Sequence, residues 1–309
     1  MTQPELTVRQ SGYGGRGYAI PVASPDEEGK VVTTAGGKLK ARLNDKGGAL
    51  IVPGVTTVLK AAASPAITQW AVDQTAGYAA SNAAELLRRS PDAAFFYLRY
   101  YHKREPMPLE EGYDPRNYHL GVLDDSAQLG TAIHEWMQAD AGEGEYPDIS
   151  TKNHLFFEMV EEWAKWSGSQ FIEPVFTEAT VYNSELGYAG TLDCLWRING
   201  KLTLLDMKSS RGLWPDHSRQ LSALKNADVL LLKNADGVYE HHDWQEWIEQ
   251  VEDYGFLHVR PSDVDNNGEV MLPYCEYIEA KNLDVHWEAF KACLTLKKAE
   301  AQLKELEGK

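Results

Sequence analysis

The dipeptide Asn199-Gly200 lies between two strand-like runs, "YAGTLDCLWRI" (188–198) and "KLTLLDMK" (201–208). Asn-Gly in that setting is the strongest short-range signal for a two-residue type I′ hairpin turn, because both central residues need positive φ. Such a turn leaves the register no freedom. Ile198 pairs with Lys201, and counting back places Asp193 opposite Asp206. Side chains opposite one another share a face, with Cβ atoms about 4.5–5.5 Å apart. Lys208, two residues past Asp206, points the same way. Like charges opposed on a ladder destabilise it unless something neutralises them.

A second turn lies upstream, in "NSELGY" (183–188). If Ser184 pairs with Gly187, Glu178 also falls opposite Asp193. The expected arrangement is a row of Glu178, Asp193 and Asp206 across three strands, with Lys208 at its flank. A one-residue slip at this weaker turn sends Glu178 to the other face.

Carboxylates in a row offer the hard oxygen ligands that Mg²⁺ or Mn²⁺ takes. A lysine beside them can position or deprotonate a water, or stabilise developing negative charge. Together these groups can hydrolyse a phosphodiester. The plain alternative is an ion-pair network with Lys208 between two acids, contributing little.

Composition narrows the class. The 309 residues are 43% hydrophobic and 10% aromatic, enough for a sizeable core in one large domain or two small ones. No apolar run approaches the ~18 residues of a membrane span, and "MTQPELTVRQ" lacks the apolar centre of a secretory signal. Cys194, Cys275 and Cys293 are far apart, with no C-x-x-C pair. That spacing disfavours structural zinc or an iron–sulfur cluster and fits a reducing cytoplasm. The net charge of −16 by itself opposes nucleic-acid binding, but divalent metal at a carboxylate site reverses the local sign.

Along the chain, residues 1–45 are Gly- and Thr-rich and read as a loose arm with at most a hairpin; "GYGGRG" lacks the Lys-Ser/Thr of a phosphate loop. Thr56 or Thr57 is expected to cap a short helix, and Pro65 to open another running to Ser90. A further helix is read over 91–105 and a loop over 106–121. Asp125 or Ser126 is expected to cap the helix that stops at Gly142, and "NHLFFEMVEEWAKWSGS" forms the next, amphipathic one. Strands follow, then a helix from Pro215 to about Asn226 that extends into "VLLLK". Two more strands, "YGFLHVRP" and "GEVMLPYCEYI", precede a C-terminal amphipathic helix. Helices, a β-meander and further mixed elements make a mixed α/β core with an N-terminal helical extension.

These residues resemble a family. "E…GYAGTLD…LLDMKSS" is similar to the core of the PD-(D/E)XK nucleases, in particular their RecB-like exonuclease branch. "LGTAIHEW" resembles that branch's G-x-x-x-H motif, through Gly130 and His134. "SRQLSALKNA" resembles its Q-x-x-x-Y motif, through Gln220, with Leu224 where the family has tyrosine. "PGVTTVLKA" with Trp70 resembles the opening of phage-encoded members, and the likeness covers roughly residues 50–300.

The resemblance implies a restriction-endonuclease-like fold, α/β with a mixed central sheet flanked by helices. It implies one nuclease domain over 46–309, helical over about 50–168 and with the catalytic sheet over about 170–309. It implies a Mg²⁺- or Mn²⁺-dependent DNA exonuclease of phage recombination, replication or repair, working on DNA ends, with a single-strand annealing or recombination protein as partner. His134, Asp193, Asp206, Glu178 and the Met207 carbonyl would hold metal, Lys208 would be the catalytic lysine, and Gln220 would orient the DNA or that lysine. The family's iron–sulfur subgroup needs four clustered cysteines, which this chain lacks. The alternative is a non-catalytic DNA- or protein-binding module on the same fold.

His134 lies one helical turn after Gly130, so both face one way. Arg211, Arg219 and Lys225, with Arg88, Arg89, Arg99, Lys103 and Arg104 upstream, are candidates to track a phosphate backbone. Trp70, Tyr100 and Trp214 are candidates to stack bases. Glu110, Glu111, Asp124 and Asp125 are candidates to gate entry.

Overall fold

In the computed structural model, the residues described are 9–11, 15–21, 42–44, 47–62, 65–82, 118–233, 239–264 and 268–307. The chain divides into two compact units, Met1–Ala62 with Ala132–Lys309, and Ala63–Thr131.

The segment read as a loose arm contributes strands. β1 (Arg9–Ser11), β2 (Gly15–Pro21), β3 (Arg42–Asn44) and β4 (Gly47–Pro53) form an antiparallel sheet in the order β1-β2-β4-β3. The reason is burial that local composition conceals. Tyr18 and Ile20, two apart on β2, join Val52 in a small core with Tyr182, Ala189 and Leu231, all distant in sequence.

Helix α1 (Val55–Leu59) follows Gly54, so neither Thr56 nor Thr57 caps it. Helix α2 (Pro65–Ser81) opens at the expected proline and carries Trp70. Helix α3 (Tyr118–Asp140) begins before Asp125 and Ser126, which therefore lie inside it. There Ser126 Oγ donates to the Val122 carbonyl at 2.8 Å, a bond within the helix in place of a cap. Helix α4 (His154–Ser167) is capped by Asn153, whose side chain accepts from the Leu155 and Phe156 amides. The helix read over 91–105, Arg88, Arg89, Arg99, Tyr100, Lys103, Arg104, Glu110 and Glu111 lie outside the described residues.

The strands that follow are β5 (Ile172–Thr177), β6 (Thr180–Asn183), β7 (Tyr188–Thr191), β8 (Cys194–Ile198) and β9 (Lys201–Lys208). Then come helix α5 (Pro215–Lys225), β10 (Val229–Lys233), β11 (Tyr239–Asp243) and the short α6 (Gln245–Ile248). The chain continues through β12 (Asp253–Arg260), β13 (Asp263–Val264), β14 (Val270–Met271), β15 (Tyr274–Glu279) and α7 (Leu283–Leu306). "VLLLK" is thus strand β10 and not an extension of α5. "GEVMLPYCEYI" breaks at Pro273 into β14 and β15.

The central sheet is mixed, in the order β15-β12-β9-β8-β5; β9 and β12 are parallel and the other pairs antiparallel. A second sheet has the order β11-β10-β6-β7. Helix α4 packs on β12 and β15, while α5 packs on α7 and on β9. Both faces of β9 are consequently covered, and Leu202 through Met207 are all buried. The alternation expected of a half-exposed strand disappears in such a position. Leu202 and Leu204 join the α1, α5 and α7 core, whose centre includes Leu221, Leu224, Phe290 and Leu294.

Gly190 and Gly255 carry close approaches between elements. A Cβ on Gly190 would lie 2.6 Å from Leu224 Cδ2 and 3.0 Å from Val55 Cγ2, so β7 sits tight against α1 and α5. A Cβ on Gly255 would meet the Tyr277 ring at 2.4 Å and the Ile278 carbonyl at 2.7 Å. Gly255→Ala is expected to cost about 1–3 kcal/mol through overpacking. Urea unfolding checks it, and the Gly255→Ala/Tyr277→Ala pair should cost less than the sum of the single changes.

Candidate active site

The Asn-Gly turn closes as its sequence requires. Ile198 pairs with Lys201, and Asn199 and Gly200 both have positive φ, 52° and 87°. The upstream turn also takes the expected register, with Asn183 opposite Tyr188 and Thr180 opposite Thr191. What differs is the shape of the ladder. The long hairpin bends at Glu178–Ala179 and Leu192–Asp193, so β6 and β7 belong to one sheet while β5 and β8 belong to another. The acids do not form a flat row; Glu178 and Asp193 stand at the bend.

Two backbone bonds carry the pairing through that bend, Glu178 N–H to the Asp193 carbonyl at 3.1 Å and Leu192 N–H to the Ala179 carbonyl at 2.9 Å. Glu178 takes φ of 52°, in the left-handed region that costs a non-glycine residue about 1–3 kcal/mol. Asp193 has left the ladder, and its carboxylate replaces the missing rung by accepting the Met207 amide at 2.8 Å. This draws Asp193 to the edge of β9 beside Asp206.

Asp206 is fully buried. Lys208 Nζ lies 2.5 Å from its Oδ2, and Gln220 Nε2, on α5, donates to its Oδ1 at 3.2 Å. Asp193 stands beside Asp206, and its charge disfavours a second charge there. Burial first, and then the neighbouring acid, raises Asp206 to about 7 against the opposing pull of Lys208. Asp193 is raised by the same burial, partly offset by Lys208. Burial works against the charge on Lys208, but Asp206 and Asp193 outweigh it and hold its pKa above the ordinary lysine value.

His134 comes from α3. Its Nε2 is buried with no hydrogen-bond partner among the described residues. Burial, followed by repulsion from Lys208, lowers its pKa to about 4, so the imidazole is neutral at pH 7, the form that ligates metal. Among the described residues no three His, Cys, Asp or Glu side chains converge into a closed metal cage. The donor chemistry still suits a hard divalent cation: one fully buried carboxylate, a half-buried one beside it and an unpartnered neutral imidazole.

The sequence thus names a set of which the structure brings Asp193, Met207, Asp206, Lys208 and Gln220 into direct contact. His134 adds an electrostatic neighbour of Lys208 and Asp206. Glu178 is coupled to Asp193 and is held by Gln138, whose Nε2 donates to Glu178 Oε1 at 3.3 Å. Gln138 was missed, although its place one turn after His134 is a readable signal. His217 and His258 were also missed. Burial, then Lys208 and His258, lowers His217 to about 3. Nothing local in the sequence marks either histidine.

Leu224 does not face the acids. It is buried against Gly190 in the main core, and its carbonyl accepts the Trp244 indole N–H at 2.8 Å. The basic residues after β9 are locally engaged: Arg211 with Asp263, Arg219 with Asp216, and Lys225 with Asp284. Trp214 is 55% exposed at the start of α5. No described helix is long and apolar enough to cross a membrane.

No protein-family model matches the chain, and no curated protein matches it. Among solved structures, the alkaline exonuclease LHK-Exo from Laribacter hongkongensis aligns at 12% identity, covering 65% of this chain and 90% of that one, with a TM-score of 0.24. Its complex with dAMP aligns at 12% identity over 64% and 89% of the two chains, again with a TM-score of 0.24. A superposition that low assigns the chain to no family, and the chemistry of the site stands on its own residues.

Proposed function

We propose that the chain is a Mg²⁺- or Mn²⁺-dependent deoxyribonuclease with a PD-(D/E)XK core, acting as an exonuclease on DNA ends. The observation that carries this reading is the Asp193–Asp206–Lys208 cluster. A half-buried acid bonded to the Met207 amide stands beside a fully buried one on a central strand, and a lysine contacts the buried acid at 2.5 Å. A purely structural ion pair has no need of a second, partly desolvated acid beside it, which costs stability.

Asp193, Asp206 and His134 Nε2 would hold the cation, with the Met207 carbonyl and Glu178 completing its surroundings. The cation, when bound, supplies charge neutralisation at the phosphoryl oxygens and activation of water. Gln220 keeps the Asp206 carboxylate in one orientation. Lys208 stays protonated beside two acids, which suits it to stabilise negative charge developing on the phosphate and not to take a proton. Glu178, held by its backbone bond to Asp193 and by Gln138, would accept a hydrogen bond from a water beside the cation.

The test uses end-labelled linear duplex, linear single strand and closed circular DNA, each with Mg²⁺, Mn²⁺ or EDTA. The expected result is metal-dependent loss of linear but not circular DNA. Lys208→Ala should slow it about 10²–10³-fold. Cleavage of the circle as well would make the enzyme an endonuclease. No cleavage of any substrate would leave a binding module on this fold.

A further inference from the structure

We infer that His258, together with Arg260, is a positioning residue for this chemistry: the two side chains hold the backbone that follows Lys208 and fix where that lysine leaves the sheet. The inference rests on the nuclease reading for its kinetic consequence, but its structural half can be tested without it.

Lys208 is the last residue of β9, and residues 209–214 form neither helix nor strand. The ladder therefore no longer satisfies their carbonyls, which must find other donors. β12 supplies them from side chains. His258 pairs directly with Lys208 across the parallel ladder. It is 2% exposed, and its Nε2 lies 2.8 Å from the Ser210 carbonyl. A carbonyl only accepts, so Nε2 carries the proton. Nδ1 is then the acceptor for the Tyr274 hydroxyl, at 3.1 Å. With both nitrogens committed, the ring has one orientation and one tautomer.

Arg260, two residues on and 5% exposed, donates Nη1–H to the next carbonyl, that of Arg211, and Nη2–H to Asp263 at 2.9 Å. Arg211 answers from the loop, with Nε 3.2 Å from the same Asp263 carboxylate and Nη2–H donated to the Val264 carbonyl at 2.7 Å. Two consecutive loop carbonyls are gripped by β12, and the loop in turn grips β13. Lysine has four rotatable carbons, so the place of its ammonium depends on where its backbone is held. A displacement of about 1 Å at a reacting group costs on the order of 10²-fold in rate.

An ordinary buried histidine would alter stability and leave turnover per folded molecule intact. The experiment therefore compares His258→Leu, which removes the donor, with His258→Gln, which keeps one at similar reach. Tyr274→Phe serves as a third variant that removes only the bond orienting the ring. Hydrogen exchange is followed by mass spectrometry over residues 208–214, and kcat and KM for linear DNA are measured in Mg²⁺. In His258→Leu we expect exchange about tenfold faster in that peptide. We expect kcat lower by about 10- to 100-fold with KM unchanged. His258→Gln should recover most of both, and Tyr274→Phe should fall between. Unchanged exchange in 208–214, or a kcat loss that merely follows the unfolded fraction, overturns the inference. If wild type cleaves nothing, the nuclease reading fails, while the exchange data still decide whether the clamp exists.

Discussion

Asp193→Asn should abolish metal-dependent DNA cleavage, by about a thousandfold, and at the same time make the protein more stable. The two effects have one cause. Asp193 is half-buried close to Asp206 and Glu178, and its loss of solvent raises its pKa. Its folded-state pKa therefore lies above that of the unfolded chain. The protonated form favours folding, and its contribution is lost as pH rises through the folded-state value. Asparagine keeps the acceptor for the Met207 amide without the charge. The gain should be about 1 kcal/mol, or about 2–4 °C in Tm, at neutral pH. Thermal unfolding in EDTA at pH 5 and pH 8 checks the sign: the advantage of the variant should be larger at pH 8. A variant less stable than wild type at both values would mean that Asp193 is a structural acid.

The second large effect lies in the packing behind the site. Trp163 is 1% exposed on α4, 5.5 Å from the Trp166 ring and 6.4 Å from that of Trp196 on β8. Its indole N–H donates to Asp140 at 2.8 Å, at the end of α3. Trp163→Ala removes a fully buried indole from α4 and should cost about 3–5 kcal/mol. Trp163→Phe keeps most of the packing and loses mainly the hydrogen bond, for about 1 kcal/mol. α3 also carries His134 and Gln138. The alanine variant should therefore lose activity beyond its unfolded fraction, measured by denaturant titration alongside cleavage.

Local chemistry decides how much of this could be read from the sequence. Asn199-Gly200 fixes a turn through its own backbone preference, so the register of Asp193, Asp206 and Lys208 is legible. The turn at 183–188 was also legible in register, but the bend at Glu178 and Asp193 was not. It arises because β6 pairs with β10, a strand that arrives much later and whose run "VLLLK" looks equally helical in isolation. The strands of the first 53 residues were hidden for a related reason: Tyr18 and Ile20 are apolar only to a purpose that Tyr182 and Leu231 reveal. Gln220 could be placed on a helix from its neighbours, whereas its contact with Asp206 depends on how α5 crosses the sheet. His258 and Arg260 look like ordinary strand residues, because the carbonyls they hold belong to a loop with no signature of its own.

The parallel pairing of β9 and β12 has a kinetic consequence. These neighbours are separated by residues 209–252, which include α5, β10, β11 and α6. Parallel strands cannot be joined by a tight turn, and contacts so distant along the chain are made late and slowly. The β8–β9 hairpin can form early from local sequence, bringing the two acids together while their lysine is still unrestrained. The strand that holds the lysine's backbone docks only after the whole crossover has been synthesised and folded. On the nuclease reading, competence for chemistry is therefore among the last properties this chain acquires, and a partly folded molecule carries the acids without their lysine in place.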